Sequence, residues 1–338
     1  MRLIFTVCSE PKNNEFMIDH FAPKGFECVS LGMKTSMKNR TVSWRRIILY
    51  YKYIQVAIAS IQKSKQDDLI IAQNFVIGAW TGFFCKLLGI KRTILSLNMI
   101  SHDKGFINTI VRRVVYNTAF KYPYFYITVN SKGLIDVYSK EFKIHVDHFY
   151  LLHDAIREHY ESAPFKPGDG SVFCGGEAMR DWNTLFNAAK LLPKVPFTAV
   201  ARKIHFDLSL EIPENVTMYY DCEFDFFYQK LTESSVVAMP LTTTAPAGLT
   251  VMIKAALLSK PIIITATPST KDYIEDNVNG ILLEKGDEKR LAAEIIRILS
   301  DDTVAERLTT SMTKSIKAFS MENYFGTMEN IVRQLVKV

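Results

Sequence analysis

The chain has 338 residues, 48% of them apolar and 12% aromatic, and a net charge of +6. Single cores seldom grow beyond ~250–300 residues, so two domains are expected. The apolar content argues against extended disorder, and no apolar run approaches the ~20 residues a membrane-spanning helix needs.

The charge is unevenly divided. Residues 1–150 hold 21 Lys and Arg against 10 Asp and Glu, whereas the remainder holds 20 against 25. Residues 28–66 contain Lys34, Lys38, Arg40, Arg45, Arg46, Lys52, Lys63 and Lys65 and no acid. Such a field attracts a polyanion or an anionic membrane surface. No nucleic-acid recognition motif accompanies it, so nucleic acid is not an expected partner. The five cysteines (8, 28, 85, 174 and 222) form no CxxC pair, which fits a reducing cytoplasm.

In chain order, "MRLIFTVCSE" reads as a first strand rather than a secretory signal. The segment 43–65 follows, with Trp44, Ile47, Ile48, Tyr51, Ile54, Ile58 and Ile61 near one helical face and Arg45, Arg46 and Lys52 off it. It reads either as an ordinary helix packed on a sheet or as one whose basic, aromatic rim also touches lipid headgroups. "DLIIAQ", "RTILSL" and "FYITVN" complete the strands of the first half. Next comes "HVDHFYLLHDAIREH", with His145, His148, His153, His159, Asp147 and Asp154. It lacks HExxH spacing and reads as polar residues where the chain passes between domains, not as a metal site.

The Pro- and Gly-rich stretch "ESAPFKPGDG", 161–170, marks the boundary between a domain at 1–160 and one at 161–338. The last helix of the second is expected to cross back to the first. "SVFCGG", "FTAVAR", "VTMYYD", "SVVAMP" and "PIIIT" are strands of the second half, and "DWNTLFNAAKLL" and "EKRLAAEIIRILS" are helices. Continuous β-branched runs separated by helices indicate parallel sheets covered on both faces. The expected class is α/β, with two doubly wound Rossmann-like domains facing across a cleft at the carboxyl ends of their strands.

Two consecutive strand ends carry cations. Gly175 and Gly176 let the backbone approach a ligand, and Arg180 sits near the helix start that follows, where phosphate is favoured. Arg202 and Lys203 directly follow the next strand. In "AGLTVMIKAALLSKPIIIT", 247–265, Lys254 interrupts an apolar helix. It is either a lysine snorkelling to solvent or part of an anion site.

"VFCGGEAMRDWNTLFNAAKLLP" and "VVAMPLTTTAPAGLTVMIKAALLSKPIIITATPSTKDYIEDNVNGILLEKGD" together resemble the nucleotide-sugar domain of GT-B glycosyltransferases, especially glycosyltransferase family 4. The resemblance covers roughly residues 171–335; the first half resembles the family's acceptor domain only in layout. It implies transfer from a nucleotide-diphospho-sugar, expected to be a UDP-sugar, without a cofactor and without a metal. Carried over by position, Arg180, Arg202 and Lys203 would hold the diphosphate, with Gly175 and Gly176 close by. The loop Thr242–Thr250, including Thr243, Thr244, Gly248, Leu249 and Thr250, would meet the phosphates and sugar, and Cys222 and Glu223 would lie beside the base. His102, after an N-domain strand, would assist transfer. The chain departs from the family where two glutamates, with seven residues between them, grip sugar and ribose: here stand Pro246 and Lys254. Placed cleft-side, Lys254 would meet a donor phosphate or a sugar carboxylate. The segment "VCSEPKNNEF" also lacks the family's glycine-rich loop.

The resemblance implies a retaining hexosyltransferase, with inversion requiring a base such as His102 or Asp103. A lipid-linked or saccharide acceptor in bacterial surface-glycan synthesis is expected, at the inner face of the plasma membrane. The alternative is a glycosyltransferase-like nucleotide-sugar-binding or partner protein that lacks catalysis.

Overall fold

The computed structural model describes residues 2–33, 43–99, 112–155, 163–177 and 179–336. Contacts divide the chain into two units, Met1–His153 with Glu322–Val338, and Asp154–Met321.

The first unit is built on β1 (Arg2–Thr6), β2 (Glu27–Leu31), β3 (Leu69–Ala72), β4 (Thr93–Ser96), β5 (Phe125–Val129) and β6 (Phe149–Leu151). All pairings are parallel, in the order β2-β1-β3-β4-β5-β6. Helices α1 (Glu15–Phe21), α2 (Ser43–Lys63), α3 (Phe75–Leu87), α4 (Asn117–Phe120) and α5 (Lys132–Phe142) connect these strands. Leu3, Phe5, Leu69, Ile71 and Leu95 pack on one side of the sheet, and Ile4, Ile70, Ile94 and Ile127 pack on the other. Burial on both faces is why these strands read as unbroken apolar runs. Strand β2 is an edge strand with only Leu31 buried, and β6 has three residues, so neither shows such a run.

Helix α2 does not pack through the stripe that its spacing predicts. Tyr53, Val56, Ala57, Ser60 and Ile61 are buried, the first three against Ala72 of β3 and Ile77 of α3. Ile48, Tyr51 and Ile58 point outward, Tyr51 being 60% exposed. The small residues Ala57 and Ser60 let α2 lie close to its neighbours, and the Ser60 hydroxyl is satisfied by the Ala57 carbonyl at 2.7 Å.

The strand order of the first unit reverses between β1 and β3. There, buried Asn14 donates to the Ser30 hydroxyl at 2.8 Å and accepts from the Gln73 amide at 2.6 Å. This network rests on the stretch 11–14 as a 3₁₀ turn leading into α1, the conformation adopted by the glycine-free "VCSEPKNNEF".

The final helix, α11 (Met321–Val336), returns to the first unit and buries Met328, Ile331, Val332 and Leu335 beside Leu3 and Phe5. His20 stacks on its Phe325, with ring centres 4.1 Å apart. Burial and the Lys24 ammonium push the His20 pKa below its ordinary value, outweighing Glu329, whose carboxylate is 3.7 Å away. A histidine with a depressed folded pKa stabilises above its unfolded value, about 6.5, and loses that contribution as pH falls. Unfolding in urea should therefore show stability dropping as the pH falls from 7.5 to 5.5, and less so in His20→Phe. Equal pH dependence in the two proteins would contradict this.

The second unit contains β7 (Val172–Gly176), β8 (Phe197–Ala201), β9 (Val216–Tyr220), β10 (Val236–Met239), β11 (Ile262–Thr265) and β12 (Ile281–Leu283). They form a parallel sheet in the order β12-β11-β10-β7-β8-β9. Its helices are α6 (Trp182–Leu191), α7 (Phe224–Glu233), α8 (Leu249–Leu257), α9 (Glu288–Ser300) and α10 (Asp302–Ile316). Helices α6 and α9 cover one face, while α7, α8 and α10 supply buried residues to the other. The order reverses between β7 and β10, so the crevice of this doubly wound sheet opens at their carboxyl ends.

Candidate functional site

The carboxyl end of β7 is Gly175–Gly176, and each glycine has its own reason. A side chain at Gly175 would enter the rings of Phe173 and Phe227, so this position serves packing. Gly176 has φ +144°, and a Cβ there would collide with the guanidinium of Arg180.

Arg180 is bound tightly into the crevice. Its Nε donates to the Gly175 carbonyl at 2.8 Å, and the residue is 7% exposed. The backbone around it pairs with the end of β10, through Asp181 N–H to the Pro240 carbonyl at 2.9 Å and Thr242 N–H to the Met179 carbonyl at 3.1 Å. Met179 holds φ +63°, a left-handed strain typical of ligand clamps. Asp181 then caps α6 by accepting from Thr184 N–H at 3.1 Å. Burial lowers the pKa of Arg180 and pushes the neighbouring Cys174 thiol up to about 12, so Cys174 stays protonated beside it.

Across the crevice, Gly248 takes φ +79° as the residue before α8. Its missing Cβ would stand 3.8 Å from Arg180 Nη1. The first N–H groups of α8, from Leu249 and Thr250 onward, have no partner within the helix and carry the positive end of its dipole. A guanidinium and a helix start thus meet at the switch point of the sheet, an arrangement that suits an anion.

The other expected cations make contacts of their own. Arg202 is half-exposed and spends its charge on Glu177 at 3.2 Å and Asp221 at 3.9 Å. Lys203 is exposed, with its N–H directed to Asp221 at 3.3 Å. In the loop before α8, the Thr243 hydroxyl accepts from Ala245 N–H at 3.0 Å, while Thr244 and Thr250 are exposed. Lys285, which the sequence did not single out, donates to the Thr242 carbonyl at 2.8 Å and anchors that loop.

Cys222 is half-buried with its thiol 3.7 Å from the Tyr220 carbonyl, and Glu223 precedes α7 without capping it. Lys254 leans onto α7. Its Nζ lies 4.7 Å from the centre of the Phe224 ring and 5.7 Å from that of Tyr228. These residues, with Asp225 and Gln229, line an open groove of about 340 Å³. Phe224 and Tyr228 also went unnoticed in the sequence, although their i, i+4 spacing directly after Cys222 and Glu223 was visible.

His102 and Asp103 lie outside the described residues, as do Lys34, Lys38 and Arg40. His145 pairs with exposed Asp147 at 3.1 Å, and the His148 ring nitrogen bonds the Phe125 carbonyl at 2.9 Å. Among the described residues, no three His, Cys, Asp or Glu side chains are grouped to hold a metal ion.

Residues 200–315 match the family "Glycosyl transferases group 1". No curated protein matches the chain. Solved structures that share the fold include sucrose-phosphate synthase from Thermosynechococcus elongatus, 15% identical, with 99% of each chain covered and a TM-score of 0.73. Anabaena HepE in complex with UDP is 16% identical, with both chains fully covered and a TM-score of 0.68. A glycosyltransferase from Rickettsia africae is 12% identical, covering 99% of this chain and 98% of its own, with a TM-score of 0.67. The second unit thus contains a stretch, residues 200–315, that matches the glycosyl transferases group 1 model, and the chain shares the GT-B fold of these structures.

Proposed function

We propose that the protein is a glycosyltransferase whose second unit binds a UDP-sugar and whose first unit binds a lipid-linked or saccharide acceptor. The observation that carries this reading is the buried Arg180 guanidinium beside the start of α8 at the sheet's switch point. HepE, which shares the fold, has been seen with UDP and with UDP-glucose. In the reaction, the bond from the sugar's anomeric carbon to the diphosphate oxygen breaks, and an acceptor oxygen forms the new one. The acceptor proton passes to the departing diphosphate, and with retention the new bond forms on the face that the diphosphate leaves. Arg180 and the α8 N–H groups stabilise the negative charge that grows on the leaving group. Pro246 and Lys254 replace the carboxylates with which the family grips sugar and ribose, so donor affinity rests more heavily on the anion site.

The acceptor side is read as membrane-associated, at the cytoplasmic face. Ile48, Tyr51 and Ile58 form an outward apolar stripe on α2, in a segment that has eight cations and no acid. Apolar contact and attraction to anionic lipid act together on such a helix, each cation near the surface adding about 1 kcal/mol. Among the described residues, no helix is long and apolar enough to cross a membrane.

One experiment tests both parts: a panel of labelled UDP-sugars offered with anionic or neutral vesicles carrying polyprenyl-linked acceptors, scored for flotation and for transfer. Transfer from at least one donor is expected, with flotation on anionic vesicles only and weaker in Tyr51→Glu. UDP binding without transfer from any donor would mark a nucleotide-sugar-binding protein instead. Equal flotation on both vesicle types at low salt would remove the electrostatic attachment.

A further inference from the structure

Each of the two sheets has a switch point, where doubly wound sheets bind ligands, but the side chains there differ in kind. In the second unit a buried guanidinium stands at this place. In the first unit the crevice opens at the carboxyl ends of β1 and β3, and short uncharged side chains gather there. Gln73 continues β3, its N–H donating to the Thr6 carbonyl at 2.9 Å. Asn74 caps α3 by accepting from Val76 N–H at 2.9 Å, and its amide nitrogen lies 3.9 Å from the Cys8 thiol. Asn13 donates to the Ser9 hydroxyl at 2.7 Å, and the Ser9 carbonyl abuts Gly32, where a Cβ would collide with it. Asn14 ties these pieces together through Ser30 and Gln73, and the Ser30 hydroxyl donates to the Pro11 carbonyl at 2.7 Å. Glu10 and Lys12, the charged residues of the segment 7–14, pair with each other at 3.2 Å.

This network leaves one acceptor and one donor unused. Gln73 gives its amide nitrogen to Asn14, and its carbonyl oxygen takes no hydrogen bond among the described residues. Ser9 accepts from Asn13 and keeps its own hydroxyl proton to donate. Both residues are half-buried, at the rim of the crevice rather than in the core. An uncharged acceptor beside an uncharged donor suits a sugar hydroxyl, which both donates and accepts. A phosphate carries acceptors alone and is best met by cationic donors.

We propose that this crevice binds an uncharged sugar ring of the acceptor, through the Gln73 carbonyl and the Ser9 hydroxyl. The inference rests on the reading of the first unit as the acceptor domain. The glycine-free turn at 11–14 has a purpose in this arrangement. Fixed by Asn14, it holds Gln73 and Ser9 in place before the ligand arrives, which lowers the cost of binding. The ring recognised is the same whether it ends a lipid-linked chain or a free saccharide.

The test is an NMR titration at saturating UDP, which keeps phosphate from the anion site of the second unit. The probes are methyl and octyl glycosides of glucose, galactose and N-acetylglucosamine, with glucose 6-phosphate and inorganic phosphate beside them. The parent is compared with Gln73→Met and Ser9→Ala, and urea unfolding checks that each variant is folded. At least one methyl glycoside should bind the parent more tightly than either phosphate compound. Gln73→Met should weaken that binding by a factor of about ten, and Ser9→Ala severalfold. Should Gln73→Met fail to fold, Ser9→Ala decides alone. Tighter Gln73-dependent binding of the octyl glycoside would support a lipid-linked source, and equal binding a free saccharide. Glycoside binding that neither variant weakens would overturn the site while the acceptor reading stands. Tighter binding of glucose 6-phosphate or phosphate, lost in Gln73→Met, would overturn the assignment to an uncharged ring. A parent that binds UDP but no glycoside would overturn the site and the acceptor reading together, and the donor reading would stand.

Discussion

Arg180→Ala is expected to weaken UDP binding by roughly tenfold to a hundredfold. A charge-assisted hydrogen bond contributes about 1.5–3 kcal/mol, and each 1.4 kcal/mol is a factor of ten. Arg180 is suited to that role because its guanidinium is buried, where attraction to a nearby anion is screened little by water. Arg180→Lys should recover only part of the affinity, since lysine lacks the planar fork that bonds the Gly175 carbonyl and faces Gly248 together. Arg202→Ala should change little by comparison, because its guanidinium is half-exposed and already paired with Glu177 and Asp221. Calorimetry with UDP, at matched thermal stability, reads all three. A parent-like affinity in Arg180→Ala would place the donor elsewhere.

Gly176→Ala is expected to act on the same guanidinium from the other side. The alanine must adopt φ +144°, a backbone conformation costing of order 1–3 kcal/mol for a non-glycine residue, and its Cβ would occupy the space of Arg180 Nη2. The unfolding free energy should fall by about that amount, and displacement of the guanidinium should cost UDP affinity comparably to Arg180→Ala. The two changes should not add. In the Arg180→Ala background the collision is gone, so Gly176→Ala then adds only backbone strain and little further loss of affinity. A fully additive double variant would show that Gly176 and Arg180 act independently. The same cycle applied to Gly175 would report on the Phe173–Phe227 packing instead, since those rings occupy its Cβ position.

The parallel α/β character of both units was legible in the sequence because strands buried on both faces must be apolar without interruption. Ile262–Ile264, Leu69–Ala72 and Ile94–Leu95 could hardly be read otherwise. The carboxyl end of β7, with its glycine pair and following arginine, was visible for a related reason: the turn needs glycine and the anion needs a cation, and both are residue types. Strands β2, β6 and β12 left no such trace, because an edge strand or a three-residue strand buries too little to demand a pattern. The orientation of α2 was also hidden. It carries apolar residues around most of its circumference, so periodicity offers several faces, and the fit of Tyr53, Val56 and Ala57 against β3 and α3 chose among them. Side-chain partners were decided last and only in three dimensions. Arg202 and Lys254 looked alike as cations near strand or helix ends, yet one is paired with Glu177 and Asp221 and the other rests on Phe224 and Tyr228. A long, flexible cation takes its direction from whichever groups the fold brings within a few ångströms. For Lys254 those groups lie some thirty residues back along the chain, on a helix that the sheet's reversal at β7 and β10 sets beside its own.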